Sequence, residues 1–195
     1  WGAKKKEDPS KGLHYVEWIA RHVPSTCRMA VLLPMQAAIG NSGDVKKFKK
    51  KMLDNYTLEA VFSLPTEMFY PGASAIACCM IFDLSQKHER ADKDTFFGYF
   101  KDDKFIKRKG LGRIELTDSY GNSLWSKTKE QWLTLYKNKR EVPGLSVMHR
   151  VTWKDEWRAE AYMETDYSTL TDADFQKVLN DYLSYLVKEG EVYEA

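Results

Sequence analysis

Apolar positions over the first 84 residues alternate between two rhythms. In "GLHYVEWIARHVP", Leu13, Val16, Ala20 and Val23 recur at helical spacing and the run stops at Pro24, which predicts an amphipathic helix. The next run, Met29 to Leu33 in "CRMAVLLP", is short, continuously apolar and closed by Pro34, the pattern of a strand buried on both faces. Helical spacing returns in "GDVKKFKKKMLDN" through Val45, Phe48, Met52 and Leu53, with lysines on the remaining, solvated positions. "LEAVFSLP" and "ASAIACCMIFDL" then read as two more buried strands. The link between them, "PTEMFYPGAS", is too short for a parallel crossover, so the two strands should be antiparallel. This order predicts an α/β fold in which helices cover a mostly parallel sheet that ends in an antiparallel strand.

The polar stretch "SQKHERADKD" is the expected boundary, dividing the chain into 1–90 and a C-terminal α+β region, 91–195. Beyond it, "TFFGYFKDDKFIKRKGLGRIEL" predicts one or two short strands around a basic, glycine-containing turn. "SLWSKTKEQWLTLYKN" puts Trp125, Trp132, Leu133 and Tyr136 on one helical face, and "LSVMHRVTW" reads as a strand. The last helix is announced by Thr171 and Asp174, a capping-box-like pair. Its apolar stripe runs from Phe175 through Val178, Leu179, Tyr182 and Leu183 to Leu186.

Net charge is only +2, so contact with nucleic acid would have to come from local clusters rather than an overall field. Two clusters stand out. Lys46, Lys47, Lys49, Lys50 and Lys51 crowd one helix and read as a solvated face; Lys101, Lys104, Lys107, Arg108, Lys109 and Arg113 surround the glycine-containing turn and suit phosphate tracking. The odd cysteine count, with Cys78 and Cys79 adjacent inside an apolar run, fits reduced packing residues on opposite faces of a strand. No run approaches the roughly 20 apolar residues of a membrane span, so the expected compartment is the cytoplasm, with no membrane partner. The first residue is Trp1, and the expectation is a piece of a longer protein.

Little catalytic chemistry is legible. His14, His22, His88 and His149 have no Cys or His partner at zinc-like spacing, which argues against a metal site. "GLG" at 110–112 is too short for a dinucleotide fingerprint, and neither a P-loop nor a nucleophile elbow is present. The Phe69–Tyr70 pair in the Pro/Gly link is unexplained by turn chemistry. Either the rings fold back into the core or they face something flat.

Residues 27–84, from "CRMAVLLPMQAAIGNSGDVKKF" to "MIFDL", resemble the region downstream of the catalytic motif in adenine-specific N-6 DNA methyltransferases. The likeness is greatest to type I restriction-modification methylase subunits and their single-chain relatives. "FFGYFKDDKF", "DEWRAEAYMETDYS" and "DFQKVL" are similar to the C-terminal portion of such enzymes. The resemblance implies the C-terminal half of a Rossmann-like methyltransferase fold, its last strand inserted antiparallel between two parallel ones.

The resemblance also implies a function for the intact protein: transfer of a methyl group from S-adenosylmethionine to the amino group of a flipped-out adenine in DNA, in a restriction-modification setting. The cofactor motif and the Asn/Asp-Pro-Pro-aromatic motif are absent here, except that Trp1 matches the last letter of the second. The fragment alone is therefore expected to be inactive. In such enzymes a Phe in the turn after the "LP" segment packs on the extruded adenine; Phe69 matches it by position, with Tyr70 as its neighbour. Lys104, Lys107, Arg108, Lys109 and Arg113 become the expected DNA-backbone contacts, and a specificity subunit the expected protein partner. The rival reading is a non-catalytic DNA-binding or subunit-assembly module of a restriction-modification complex. A half-sheet also leaves an edge strand open to self-association.

Overall fold

The computed structural model describes residues 7–165 and 170–189. The chain divides into two compact units, 1–164 and 165–195. In the first unit, α1 (Leu13–His22) leads into β1 (Arg28–Pro34). A five-residue helix α2 (Met35–Ile39) and the longer α3 (Gly43–Asn55) follow, then β2 (Thr57–Ser63) and β3 (Ala77–Asp83). After the short α4 (His88–Ala91) come β4 (Thr95–Tyr99), the hairpin β5 (Phe105–Arg108) and β6 (Gly112–Glu115), α5 (Leu124–Asn138) and β7 (Ser146–His149).

Five strands form one sheet in the order β1-β3-β2-β4-β7. β3 pairs antiparallel with β1 on one side and with β2 on the other, β2 pairs parallel with β4, and β4 pairs antiparallel with β7. The antiparallel β2–β3 pairing anticipated from the short link is present. The sheet is mixed rather than mostly parallel, because the inserted β3 turns both of its pairings antiparallel and β7 adds a third. β1, β2 and β4 point the same way. The boundary expected at 90/91 falls inside this sheet, since β4 pairs with β2 and β7 extends it; the compact division comes at 164/165 instead.

Burial explains the layering. β2 is central and buried on both faces. One face packs on α1, α2 and α3 through residues such as Leu13, Val45, Met52, Val61, Met80 and Phe82. The other carries Phe62, Leu64, Phe96 and Phe100 against Leu135, Trp132 and Tyr136 of α5. Cys78 joins the first cluster and Cys79 packs against the second, as the alternation of a strand requires. Both are free thiols.

Two burial expectations are corrected. β1 is not buried on both faces: of its residues only Leu33 is buried and Leu32 is 58% exposed, because helices cover the face carrying Met29, Val31 and Leu33 while the face carrying Ala30 and Leu32 is left open beside α5. Lys49 is not part of a solvated lysine face. It is 2% exposed, its Nζ donating to the carbonyls of Ala38 and, at 3.0 Å, Asp155, while lying 4.9 Å from the Trp157 ring centre. The helical periodicity points position 49 at the core as surely as Val45 and Met52, and the long lysine stem reaches through it to polar atoms.

The second unit contains α6 (Asp172–Glu189). The expected cap is formed: the Thr171 N–H and hydroxyl both donate to Asp174 Oδ2, at 2.8 and 2.7 Å.

Candidate functional site

Because β1, β2 and β4 are parallel, their C-terminal ends share one edge of the sheet, the edge at which open α/β sheets bind ligands. The aromatic turn and the basic hairpin both leave from this edge. The β2–β3 link, 65–76, starts at the end of β2, and the β5–β6 hairpin follows the end of β4.

The link is a tight, internally bonded turn. Met68, Tyr70 and Ala73 amides donate to the carbonyls of Pro65, Glu67 and Phe69, and its far end is tied to the sheet by Met35 N–H donating to Ile76 O at 2.8 Å. Met68 packs inward against the Phe62 cluster. Phe69 does not fold back: it is 39% exposed. Tyr70 is half-buried, with Lys107 Nζ 4.4 Å from its ring centre. Lys107 also pairs with Glu67 at 3.3 Å, so the basic hairpin and the aromatic turn lie against each other although 40 residues separate Glu67 from Lys107. Sequence reasoning named both features and missed their contact.

The five expected backbone-contacting cations divide by environment. Arg113 makes a two-pronged pair with Asp103, at 2.6 and 2.8 Å, with side chains only 14% and 8% exposed. Its guanidinium clamps the root of the hairpin instead of facing solvent. Lys104 pairs with Asp102, and Lys107 with Glu67. Arg108 and Lys109 are exposed at the tip, without an ion-pair partner among the described residues. Trp1 lies outside the described residues.

A polar cluster at the same edge had no signal in the sequence. Ser63, fully buried at the end of β2, donates to Glu160 Oε2 at 2.6 Å, and Lys101 Nζ bonds Glu160 Oε1 at 2.8 Å. Burial opposes ionisation of Glu160, but the bonds from Lys101 and Ser63 outweigh it and hold the carboxyl below its usual range. The three side chains fasten the β2 and β4 ends to the 3-10 turn Ala159–Ala161.

On the α5 face of the sheet runs an open apolar groove of about 410 Å³, between Leu32, Cys79 and Ile81 of the sheet and Trp132, Leu133 and Tyr136 of the helix. The histidines do not converge. His88 is buried, its Nδ1 accepting from Leu58 N–H and its Nε2–H donating to Val151 O, so it is a structural tie. No cluster of three His, Cys, Asp or Glu side chains suited to a metal is found among the described residues. No helix among them is long and apolar enough to cross a membrane.

Sequence comparison places this geometry. The N-6 DNA methylase family profile matches residues 3–168, most of the chain. The chain belongs to the N-6 DNA methylase family. It is 27% identical over 159 residues to the type II restriction enzyme and methyltransferase RM.BcgI of Heyndrickxia coagulans, covering 81% of this chain and 24% of that protein. The fold is similar to a modification subunit of a putative type I restriction enzyme from Vibrio vulnificus YJ016, with TM-score 0.53 and 14% identity over 91% of this chain and 37% of that one. This N-6 DNA methylase chain thus spans about a quarter of the curated relative it matches. The match runs through the turn bearing Phe69, the basic hairpin and the Ser63–Glu160–Lys101 cluster alike.

Proposed function

We propose that this chain is the second half of a Rossmann-like methyltransferase fold and forms the far wall of the base pocket in an adenine-specific N-6 DNA methyltransferase of a restriction-modification system. The observation that carries the reading is Phe69: a large aromatic left 39% exposed at the ligand-binding edge, on a turn held by its own backbone hydrogen bonds and by Met68 packed inward. An enzyme acting on an amino group inside a duplex must extrude the base and hold it by stacking, and an exposed ring on a firmly anchored turn suits that task. Tyr70, covered by Lys107, supports the turn from beneath. Arg108 and Lys109 are the cations available to DNA phosphates, with Lys104 and Lys107 able to join them by leaving exposed ion pairs. Sequence recognition falls to a separate specificity subunit or to another part of the intact protein.

S-adenosylmethionine, the methyl donor this reading implies, finds no glycine-rich cradle among the described residues: the passages from β1 to α2 and from β3 to α4 contain no glycine, and that from β6 to α5 contains Gly121 alone. Its site, with the polar motif that holds the amino nitrogen, belongs to the remainder of the intact protein. The residues described position the base and take no part in bond making. The test is Phe69→Ala in the intact enzyme, read by labelled-methyl transfer to DNA and by thermal unfolding. Methyl transfer should fall about 10-fold or more, in keeping with the loss of one base-stacking contact, while the melting temperature stays within a few degrees. Unchanged transfer refutes the pocket assignment, and a large drop in melting temperature assigns Phe69 to packing.

A further inference from the structure

The tip of the β5–β6 hairpin has an apolar side chain where a purely phosphate-binding turn would have none. Leu111 is 74% exposed, flanked by Gly110 and Gly112 at φ +78° and +85° and preceded by Arg108 and Lys109. Two left-handed glycines let the chain reverse in the tightest space and push the intervening side chain outward. Among the described residues nothing lies within 4 Å of where a Cβ on Gly110 would project, so none of them covers this flank of the tip.

The mount, in contrast, is firm. The Arg113–Asp103 pair closes the root, Leu116 N–H donates to Lys104 O at 2.8 Å, and Phe105 meets Trp125 edge-on at 6.2 Å between ring centres. The hairpin also rests on the aromatic turn: Lys107 on Glu67 and Tyr70, and a Cβ on Gly112 would come 4.0 Å from Pro71. Leu111 is therefore one residue from a contact with the turn that carries Phe69. A leucine held out at the tip of a braced hairpin, next to exposed cations, contributes nothing to the core.

We propose that Leu111 is a wedge that enters the DNA base stack beside the target adenine, while Arg108 and Lys109 hold the flanking phosphates. The inference rests on the base-pocket reading of Phe69 and adds the partner step: one apolar side chain unstacks the duplex, and one aromatic ring receives what leaves. Apolar side chains inserted between base steps are a general means of unstacking a duplex, and the cations offset the charge brought close by the approach.

The experiment uses the intact enzyme, wild type and Leu111→Ala, on duplexes bearing its methylated sequence as first mapped in cellular DNA. Each duplex is prepared twice, with the target adenine paired and with it mismatched. Leu111→Ala should lower methyl transfer to the paired duplex by about 10- to 100-fold, the scale of losing help with unstacking one step. On the mismatched duplex, where the adenine is already loosely held, the deficit should shrink to within about threefold. Leu111→Phe, which restores bulk, should recover the paired substrate, and all variants should melt alike because the side chain is exposed. Equal losses on both duplexes, or no loss on either, overturn the wedge while wild-type and Phe69→Ala activities still report on the pocket. Release of a bound protein subunit by Leu111→Ala overturns it in favour of a protein-docking tip. Wild-type enzyme that methylates no adenine in DNA overturns both readings.

Discussion

Between about pH 7 and pH 9.5, Lys49 should add about 2 kcal/mol to the stability of the protein. Its ammonium is 2% exposed where α3 meets the backbone of Asp155, and burial pushes its pKa from 10.5 down to about 8, the neighbouring Glu156 and Asp155 carboxylates opposing the shift only in part. Below pH 8 folded and unfolded chains both carry the proton, and the full penalty of burying the charge is present. Between the folded pKa of about 8 and the unfolded value near 10.5, the unfolded chain binds more protons, so stability rises with pH. At about 1.4 kcal/mol per tenfold change in proton affinity, the complete window is worth about 3 kcal/mol, of which about 2 is realised by pH 9.5. The assay is urea unfolding of wild type and Lys49→Met, followed by tryptophan fluorescence at several pH values. Cys78, whose thiol burial pushes up to about 12, and Tyr162, raised by burial to about 12, act in the opposite direction at high pH. They are common to both proteins and largely cancel in the difference. A wild-type-minus-variant stability that stays flat across this range would refute the burial argument.

Two further outcomes follow from packing and from one imidazole. A Cβ on Gly98 would come within 2.9 Å of both Phe62 and Phe100, whose rings stack 5.2 Å apart, so Gly98→Ala should cost about 1–3 kcal/mol in urea or thermal unfolding. Burial lowers the pKa of His88, so the unfolded chain takes up its proton first as pH falls below about 6.5. Stability should then drop with acidification, and His88→Gln should remove that slope near pH 6.

The parts of this fold that sequence made legible are those governed by local geometry. A short link fixes β2 and β3 as antiparallel, successive cysteines take opposite faces, and Thr171 with Asp174 caps α6, all from spacing alone. What failed was anything that depends on which neighbour a residue finds. The apolar run of β1 is the composition of a strand covered on both faces, yet the face carrying Ala30 and Leu32 is exposed. Lys49 has a surface residue's chemistry at a core residue's phase, and phase won. The five-residue α2 is shorter than two helical turns and leaves no periodicity to read. The polar stretch before β4 looked like a boundary because a loop and a linker share composition; only the β2–β4 pairing tells them apart.

The same limit explains why the contact between the aromatic turn and the basic hairpin is not legible in the sequence. The aromatic turn and the basic hairpin meet because β2 and β4 are parallel neighbours, so both depart from one sheet edge. The energetics of their contact matter for what it can do. Glu67 and Lys107 are 46% and 45% exposed, and an ion pair of that exposure contributes at most about 1 kcal/mol. A phosphate arriving at the hairpin can therefore take Lys107 from Glu67 with little loss of stability. Arg113 and Asp103, far more deeply buried, would leave an uncompensated charge if separated, so they hold the root of the hairpin fixed. Neutralising Lys107 should accordingly weaken DNA binding more than it weakens the fold, and neutralising Arg113 the reverse.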